Sequence, residues 1–330
     1  MTNSARTPDE LDAEMMHACR DGDYGRALAA LEEGGFIDVK DRNGDTMLTM
    51  LADRNRPDAH RMVRTLLAAG ADWSVSSSYG WRPFEIACDC GNLQAVREFL
   101  AAGINPNIGD ITGVVPLQWA AWHAHFEVMQ ALLEAGANPN GLATKDLHRS
   151  TPLHNATGRG VVEFLIAHGA DPSLYSDEGY LPIHTAIAKG KVDVVQAFLD
   201  AGVDVDSPVS WARGSSSGLM LAAASGNLEM VEFLLSKGAD LNQVDNHDKT
   251  ALHHACSSGR SEVAIYLIDN GLAWALNMQD AKRVRPMEYE QAGEVRQIMA
   301  SRDAAGAIED AFAQMPSSSS LLKRRPGLSL

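Results

Sequence analysis

The side chains in this 330-residue sequence that have the right type for chemistry are a thiol and several imidazoles. Cys90 and His123 stand 33 residues apart, at equivalent points of neighbouring sequence segments. A thiolate beside an imidazole is the arrangement of a covalent nucleophile and its base. His154, in Thr151-Pro152-Leu153-His154, precedes a short apolar stretch and has the type of a general base. Neither reading finds support around it. No third orienting group or oxyanion donor accompanies Cys90 and His123, and the chain has no Gly-rich phosphate loop, no H-E-x-x-H helix and no G-x-S-x-G turn. His154 also recurs, as His184 and His253, in the stretches TPLHNA, LPIHTA and TALHHA. Catalysis does not come in triplicate, so the three histidines are expected to be scaffold. Cys19, Cys88, Cys90 and Cys256 match no zinc spacing and no disulfide framework. Three of them, Cys19, Cys88 and Cys256, are expected to fill small-residue stripes of helices. No metal and no cofactor are expected.

The elements that carry these residues repeat. A glycine closing an apolar segment recurs at Gly34, Gly70, Gly103, Gly136, Gly169, Gly202, Gly238 and Gly271, at spacings of 33 or 36 residues. Around Gly238 the sequence reads SGLMLAAASGNLEMVEFLLSKGADLN. It predicts a small-residue helix, a turn at Gly226, and a second helix with Leu228, Val231, Leu234 and Leu235 on one stripe. Pro116, Pro152 and Pro182 mark the start of the first helix, where a missing N–H costs nothing. The recurring glycines mark the end of the second, at the position that favours a left-handed conformation. Asp and Asn pairs follow, and a tight reversal such as Asp41-x-x-Gly44 leads into the next unit.

TPLHNA, LPIHTA and TALHHA, each followed by a helix, a GAD-type turn and the 33-residue period, resemble the ankyrin repeat. The resemblance covers nearly the whole chain. It implies an all-α ankyrin-repeat solenoid of helix-turn-helix units with short β-turn tips. Repeats are expected at about 12–40, 41–75, 76–108, 109–141, 142–174, 175–207, 208–243 and 244–277, with a degenerate cap at 278–303. In this family the motif histidine hydrogen-bonds neighbouring backbone and ties adjacent units, which is the role implied for His154, His184 and His253. The remaining repeats carry Met16, Thr49, Glu85, Gln118, Met220 and Glu288 there. The resemblance further implies a non-enzymatic array that binds a protein partner on the tips and inner-helix ends. It places Arg42, Asn43 and Asp45 on tip two, Tyr79 and Trp81 on tip three, and Ile111 and Val114 on tip four. Trp122 and His123 fall at the end of the fourth inner helix, and Tyr180 falls on tip six. Tyr79, Trp81, Ile111, Val114 and Trp122 would then form an exposed apolar cluster, which in a soluble protein needs a reason. The competing expectation is that Trp81 and Trp122 pack between units, as Trp119 and Trp73 do.

The net charge of −15 argues against nucleic acid or an anionic membrane surface as the main partner. No apolar leader and no run of 18 apolar residues occurs, so no membrane span is expected, and a monomer in the cytosol is the default. In repeat five the stretch from Pro152 to Gly169 is three residues short, so its outer helix is expected to start late. Longer loops are expected at 52–62, 141–150 and 206–217, the last carrying Trp211 as a candidate finger. Residues 1–11 are expected to be frayed, 304–315 to form one more amphipathic helix, and the basic stretch 316–330 to be a disordered tail. An alternative to a resident scaffold is a bacterial effector that captures a host protein, and a Cys/His enzyme is the remote one.

Overall fold

In the structure, a computed structural model, residues 6–53, 58–142, 149–210 and 214–301 are described, and the chain divides into two units, Met1–Asp171 and Pro172–Leu330. Every regular element among the described residues is helical.

The first unit holds α1 (Pro8–Asp21), α2 (Tyr24–Glu32), α3 (Met47–Asp53), α4 (Ala59–Ala68), α5 (Pro83–Asp89), α6 (Leu93–Ala101), α7 (Pro116–Trp122), α8 (Phe126–Glu134) and α9 (Arg159–Ala167). They form helix pairs, and successive pairs stack so that the inner helices α3, α5 and α7 make one layer and the outer helices α4, α6 and α8 a second. Each layer turns one apolar stripe inward. Leu48, Leu51, Phe84 and Leu117 from the inner layer meet Leu66, Phe99, Met129 and Leu132 from the outer, all at most 2% exposed. Phe84 and Phe99 meet edge to face at 5.8 Å. Full burial of such side chains stabilises by about 1.5–3 kcal/mol each. Neighbouring inner helices approach closely because they face one another with small residues, Cys19, Ala87, Cys88, Ala120 and Ala121, all buried.

Local signals set the helix ends. Pro83 and Pro116 are first residues of their helices, and the Asn92 side chain accepts from Ala95 N–H at the start of α6. The exit glycines adopt the left-handed conformation, with φ 84° at Gly103 and 90° at Gly136. Helix α1 starts at Pro8 and not at residue 12. Thr7 Oγ1 accepts from Glu10 N–H while Glu10 Oε2 accepts from Thr7 N–H at 2.8 Å, a reciprocal cap that fixes the first turn.

Repeat five corrects the expectation of a late outer helix. Helix α9 has nine residues, as α8 has, because Val161, Val162 and Leu165 must be buried. The three missing residues come out of the inner position, where a single 3-10 turn, Pro152–Asn155, replaces the seven-residue helix of repeat four. Extended Gly158 (φ −155°) then leads straight into α9. A 3-10 turn rises about 2.0 Å per residue against about 1.5 Å in an α-helix, which recovers part of the lost length.

The second unit contains α10 (Pro182–Ala188), α11 (Val192–Asp200), α12 (Gly218–Ser225), α13 (Leu228–Ser236), α14 (Ala251–Ser257), α15 (Ser261–Asp269) and α16 (Gly293–Ser301). It repeats the plan around Ile183, Phe198, Leu219, Leu234, Leu252 and Leu267. The end of this unit is built from short 3-10 turns, Leu272–Asn277, Pro286–Glu288 and Glu290–Ala292, before α16. Within the longer loop of repeat seven, Val209 is buried and its N–H donates to Ser216 O at 2.9 Å. Trp211, the helix expected at 304–315, the tail at 316–330, most of the loop at 141–150 and residues 54–57 lie outside the described residues.

Candidate protein-binding surface

Six tips among the described residues are five-residue loops closed by two main-chain hydrogen bonds. In tip four, Asp110 N–H donates to Val114 O and Gly113 N–H to Asp110 O, both at 2.9 Å, and residues 41–45, 77–81, 176–180, 245–249 and 280–284 repeat the pattern. Where the first residue is aspartate, its carboxylate completes the loop. Asp110 Oδ1 accepts from Thr112 N–H at 2.8 Å and Val114 N–H at 2.9 Å, which leaves Oδ2 for a donor on the following helix. That donor is Trp119 Nε1 at 3.2 Å.

The buried Asp110 therefore orients the indole of Trp119, and Trp119 orients its neighbours. Its ring lies 4.7 Å from Trp81, tilted by 41°, and 6.0 Å from Trp122, nearly parallel. Trp81 and Trp119 are half-buried, whereas Trp122 keeps 49% of its surface exposed. Tyr79 is 85% and Ile111 60% exposed. Ile111 leans on tip three at Gly80. A Cβ at that position would come within 2.6 Å of Ile111 Cδ1, so the bare glycine gives the isoleucine its place. Val114 is half-buried on the same tip as Ile111. Tyr180 belongs to the second unit, half-buried, its ring edge-on to His184 at 6.4 Å. Trp73 is half-buried beneath the guanidinium of Arg82, 5.8 Å from its ring centre.

The thiol and imidazole go to different partners. His123 Nε2 lies 2.9 Å from Asp89 Oδ1, and Cys90 Sγ donates to Asp53 Oδ1 at 3.3 Å. Burial, and then the Asp53 carboxylate, push the Cys90 thiol up to about 12, the opposite of what a nucleophile needs. Cys19, Cys88 and Cys256 are buried in the helical stripes, and burial raises Cys256 to about 12 as well.

The motif histidines are bonded to main chain. His154 Nδ1 accepts from Thr151 N–H at 3.1 Å. His184 Nδ1 accepts from Leu181 N–H at 3.1 Å while its Nε2 donates to Ser207 O at 2.8 Å. His253 does the same with Thr250 N–H (3.2 Å) and Met278 O (3.0 Å). Other residues meet the same requirement elsewhere. Gln118 Oε1 accepts from Val115 N–H at 3.0 Å and its amide donates to Ser150 O. Glu85 accepts from Arg82 N–H at 2.9 Å, and the Arg82 guanidinium pairs with Glu85 and donates to Gly109 O. In repeat seven Met220 Sδ takes the place of the acceptor, 3.4 Å from Ser217 N.

Beside the aromatic run, tips two and three and the ends of α3 and α5 enclose a groove of about 630 Å³, lined by Thr49, Met50, Ile86, Ser77, Tyr79 and Trp81, by the carboxylates Asp41, Asp45, Asp53 and Asp89, and by Arg20. Asp45, Tyr79 and Trp81 were legible as tip residues. Asp53, Asp89 and Ser77 were not. Asp53 and Asp89 end α3 and α5, and a carboxylate at a helix C-terminus, where the macrodipole disfavours it, was the available signal. Among the described residues no group of His, Cys, Asp and Glu is arranged to hold a metal, and no helix is long and apolar enough to cross a membrane.

The family model described as "Ankyrin repeats (3 copies)" matches residues 58–143, 140–209 and 213–280. The ankyrin repeat and KH domain-containing protein mask-1 of Caenorhabditis elegans is 32% identical over 136 residues, 40% of this chain and 5% of that protein. Human neurogenic locus notch homolog protein 2 is 34% identical over 119 residues, 36% of this chain and 5% of that protein. The phosphocholine transferase AnkX of Legionella pneumophila is 41% identical over 69 residues, 21% of this chain and 7% of that protein. These matches span only a small fraction of the relatives' own length. Among solved structures, the human ASB11 ankyrin repeat domain superposes with a TM-score of 0.57 at 28% identity, covering 67% of this chain and 98% of that one.

Proposed function

Since the chain belongs to the ankyrin repeat family, we propose that it is a non-enzymatic binding module whose first unit holds a protein partner against Tyr79, Trp81, Ile111, Val114 and Trp122, with His123 at the rim. Repeats of this family generally serve protein–protein interaction. The observation that carries the assignment to this face is the run Trp81–Trp119–Trp122, fixed at its central ring by the buried Asp110 and leading outward to an exposed indole. A merely soluble surface has no use for an indole held in a set orientation beside an exposed tyrosine and isoleucine. Rigid aromatic side chains bury a large area at small entropic cost, which is why they dominate protein interfaces. The acidic rim adds speed and selectivity more than strength. Tyr180 is assigned to a separate contact made by the second unit.

The test is affinity measured against fold. A partner captured by the full chain is purified and titrated by calorimetry against wild type, Tyr79→Ala, Ile111→Ala and Trp122→Ala. Each variant is expected to weaken binding by ten- to a hundredfold, about 1.4–2.8 kcal/mol, with melting temperatures unchanged within about 2 °C. Wild-type affinity in all three would remove this face from the binding role.

A further inference from the structure

The groove between tips two and three presents negative charge in excess of the positive charge offered to it by described residues. Of its four carboxylates, Asp41 is bonded to Arg20 at 2.9 Å. Asp53 receives the Cys90 thiol, Asp89 pairs with His123, and Asp45 makes no salt bridge among the described residues, the charge of Arg20 reaching it only from a longer distance. Burial first, and then the charges of Asp41 and Asp53, push the Asp45 carboxyl above its ordinary value. A cation in the groove relieves that repulsion.

A second observation is independent of the carboxylates. Ser77 is 8% exposed and lines the groove, yet its hydroxyl makes no hydrogen bond among the described residues. At the matching position Asp110 and Asp245 have both carboxylate oxygens bonded, and Ser176 Oγ accepts from Tyr180 N–H. The Ser77 hydroxyl is therefore open to the groove and available to a donor placed there. Tyr79, 85% exposed, and Trp81 add aromatic surface beside it.

We propose that this groove takes the guanidinium of an arginine side chain carried by the partner protein, seated against Tyr79 and Trp81, with Asp45 and Asp53 as counter-charges and Ser77 Oγ as an added acceptor. This rests on the protein-binding reading above and gives it a chemistry. A guanidinium is planar and weakly hydrated, stacks on aromatic rings and donates up to five hydrogen bonds, whereas an ammonium is strongly hydrated and does not stack flat. The net charge of −15 draws such a ligand in.

The probe is a blocked hexapeptide, acetyl-GSGRSG-amide, titrated into the ¹⁵N-labelled full chain while the indole N–H signal of Trp81, assigned through Trp81→Phe, is followed. The expected result is a saturable shift, with the citrulline and lysine versions of the peptide binding at least tenfold more weakly. Asp53→Asn is expected to cost fivefold or more, Asp45→Asn with Asp53→Asn twentyfold or more, and Ser77→Ala about threefold. Asp53 is exposed at the end of α3, so its isosteric amide tests the charge without disturbing the fold. Equal binding of arginine and citrulline, or full affinity in Asp53→Asn, overturns the proposal, and equal binding of lysine overturns its guanidinium form. A mass that doubles with concentration and reverts in Asp53→Asn assigns the groove to a second copy and overturns the partner assignment. The two readings fail separately. A silent arginine peptide with Trp122→Ala still weakening the purified partner removes the arginine site alone, whereas a bound peptide with an indifferent Trp122→Ala removes the aromatic face alone.

Discussion

The tips of the two units are joined to their neighbours by different means. In the second unit main chain joins main chain, Ser210 N–H donating to Gly179 O at 2.9 Å, Asn246 N–H to Gly214 O at 2.9 Å and Ala281 N–H to His247 O at 2.8 Å, in addition to side-chain joints such as Tyr175 Oη to Pro208 O at 3.1 Å. In the first unit, among the described residues, the joints are made by side chains, Lys40 Nζ to Ser76 O at 2.9 Å and the Arg82 guanidinium to Gly109 O. Main-chain bonds hold neighbouring backbones at one short distance, while long side chains leave space between them. The 630 Å³ groove lies where a side chain makes the joint. The same backbone plan thus gives closed tips in one unit and a usable opening in the other.

The aspartates that open tips four and eight are the strongest points at which to break this comparison. Asp110 and Asp245 are both buried, and each carboxylate holds two tip N–H groups and one ring nitrogen, Trp119 Nε1 or His254 Nε2. Replacing either by alanine is expected to cost about 3 kcal/mol, read from the shift in urea midpoint, because the acceptors vanish while the donors stay. Only Asp110→Ala should also weaken the partner, since only there does the carboxylate orient the aromatic run. Equal binding losses in the two variants would erase the functional difference between the units.

Acid separates them next. Burial lowers the pKa of His253 to about 4, and the unfolded chain titrates near 6.5. Above pH 6.5 both states are neutral and stability is complete. As the pH falls from 6.5 to 4 only the unfolded state takes up the proton, so stability falls, by up to about 3 kcal/mol, and then levels off. Repeat four performs the same tie with the amide of Gln118, which does not titrate. Hydrogen exchange at pH 5 is therefore expected to lose more protection in 244–301 than in 109–142. His253→Gln should flatten the difference, and an unchanged pH profile in that variant would contradict the assignment.

The ends of the inner helices offer a smaller contrast. Trp122 ends α7 as Ser257 ends α14. Trp122→Ala is expected to cost about 1.4 kcal/mol or more of partner affinity and Ser257→Ala nothing measurable. The smallest effect concerns the turn. The left-handed tip position is Gly44, Gly80 and Gly113 in the first unit, whereas in the second it is Gly179 in tip six but Asp248 (φ 58°) and Arg283 (φ 63°) in the last two tips. Side chains strain that conformation, so Arg283→Gly is expected to stabilise by about 0.5–1 kcal/mol in thermal melts, whereas Gly80→Ala should destabilise by more, because it also meets Ile111.

Much of this was legible in the residues. The proline entrances and glycine exits stand at their expected places because each obeys a rule local to one or two residues. The tie made by His184 and His253 was legible because one residue type recurred in one motif. Gln118 and the Glu85–Arg82 pair were not, since several chemical groups can satisfy one cap N–H and their types alone do not reveal the role. Repeat five shows another limit. The three-residue deficit was countable, but whether the inner or the outer helix absorbs it depends on which one buries more, and Val161, Val162 and Leu165 decide for the outer. The groove was half legible: Tyr79, Trp81 and Asp45 are tip residues, whereas Asp53 joins them only through stacking of units 36 residues apart.

The side-chain joints of the first unit have an evolutionary consequence. Lys40 and Arg82 reach across the gaps between tips, and neither is needed to bury the apolar stripes of the helices behind them. One codon change at Lys40 resets the width of a gap without refolding anything, whereas Arg82 is also held by its pairing with the buried Glu85. Inheritance can therefore try out new binding preferences in the first unit cheaply, while the main-chain joints of the second hold its loops to the ancestral spacing.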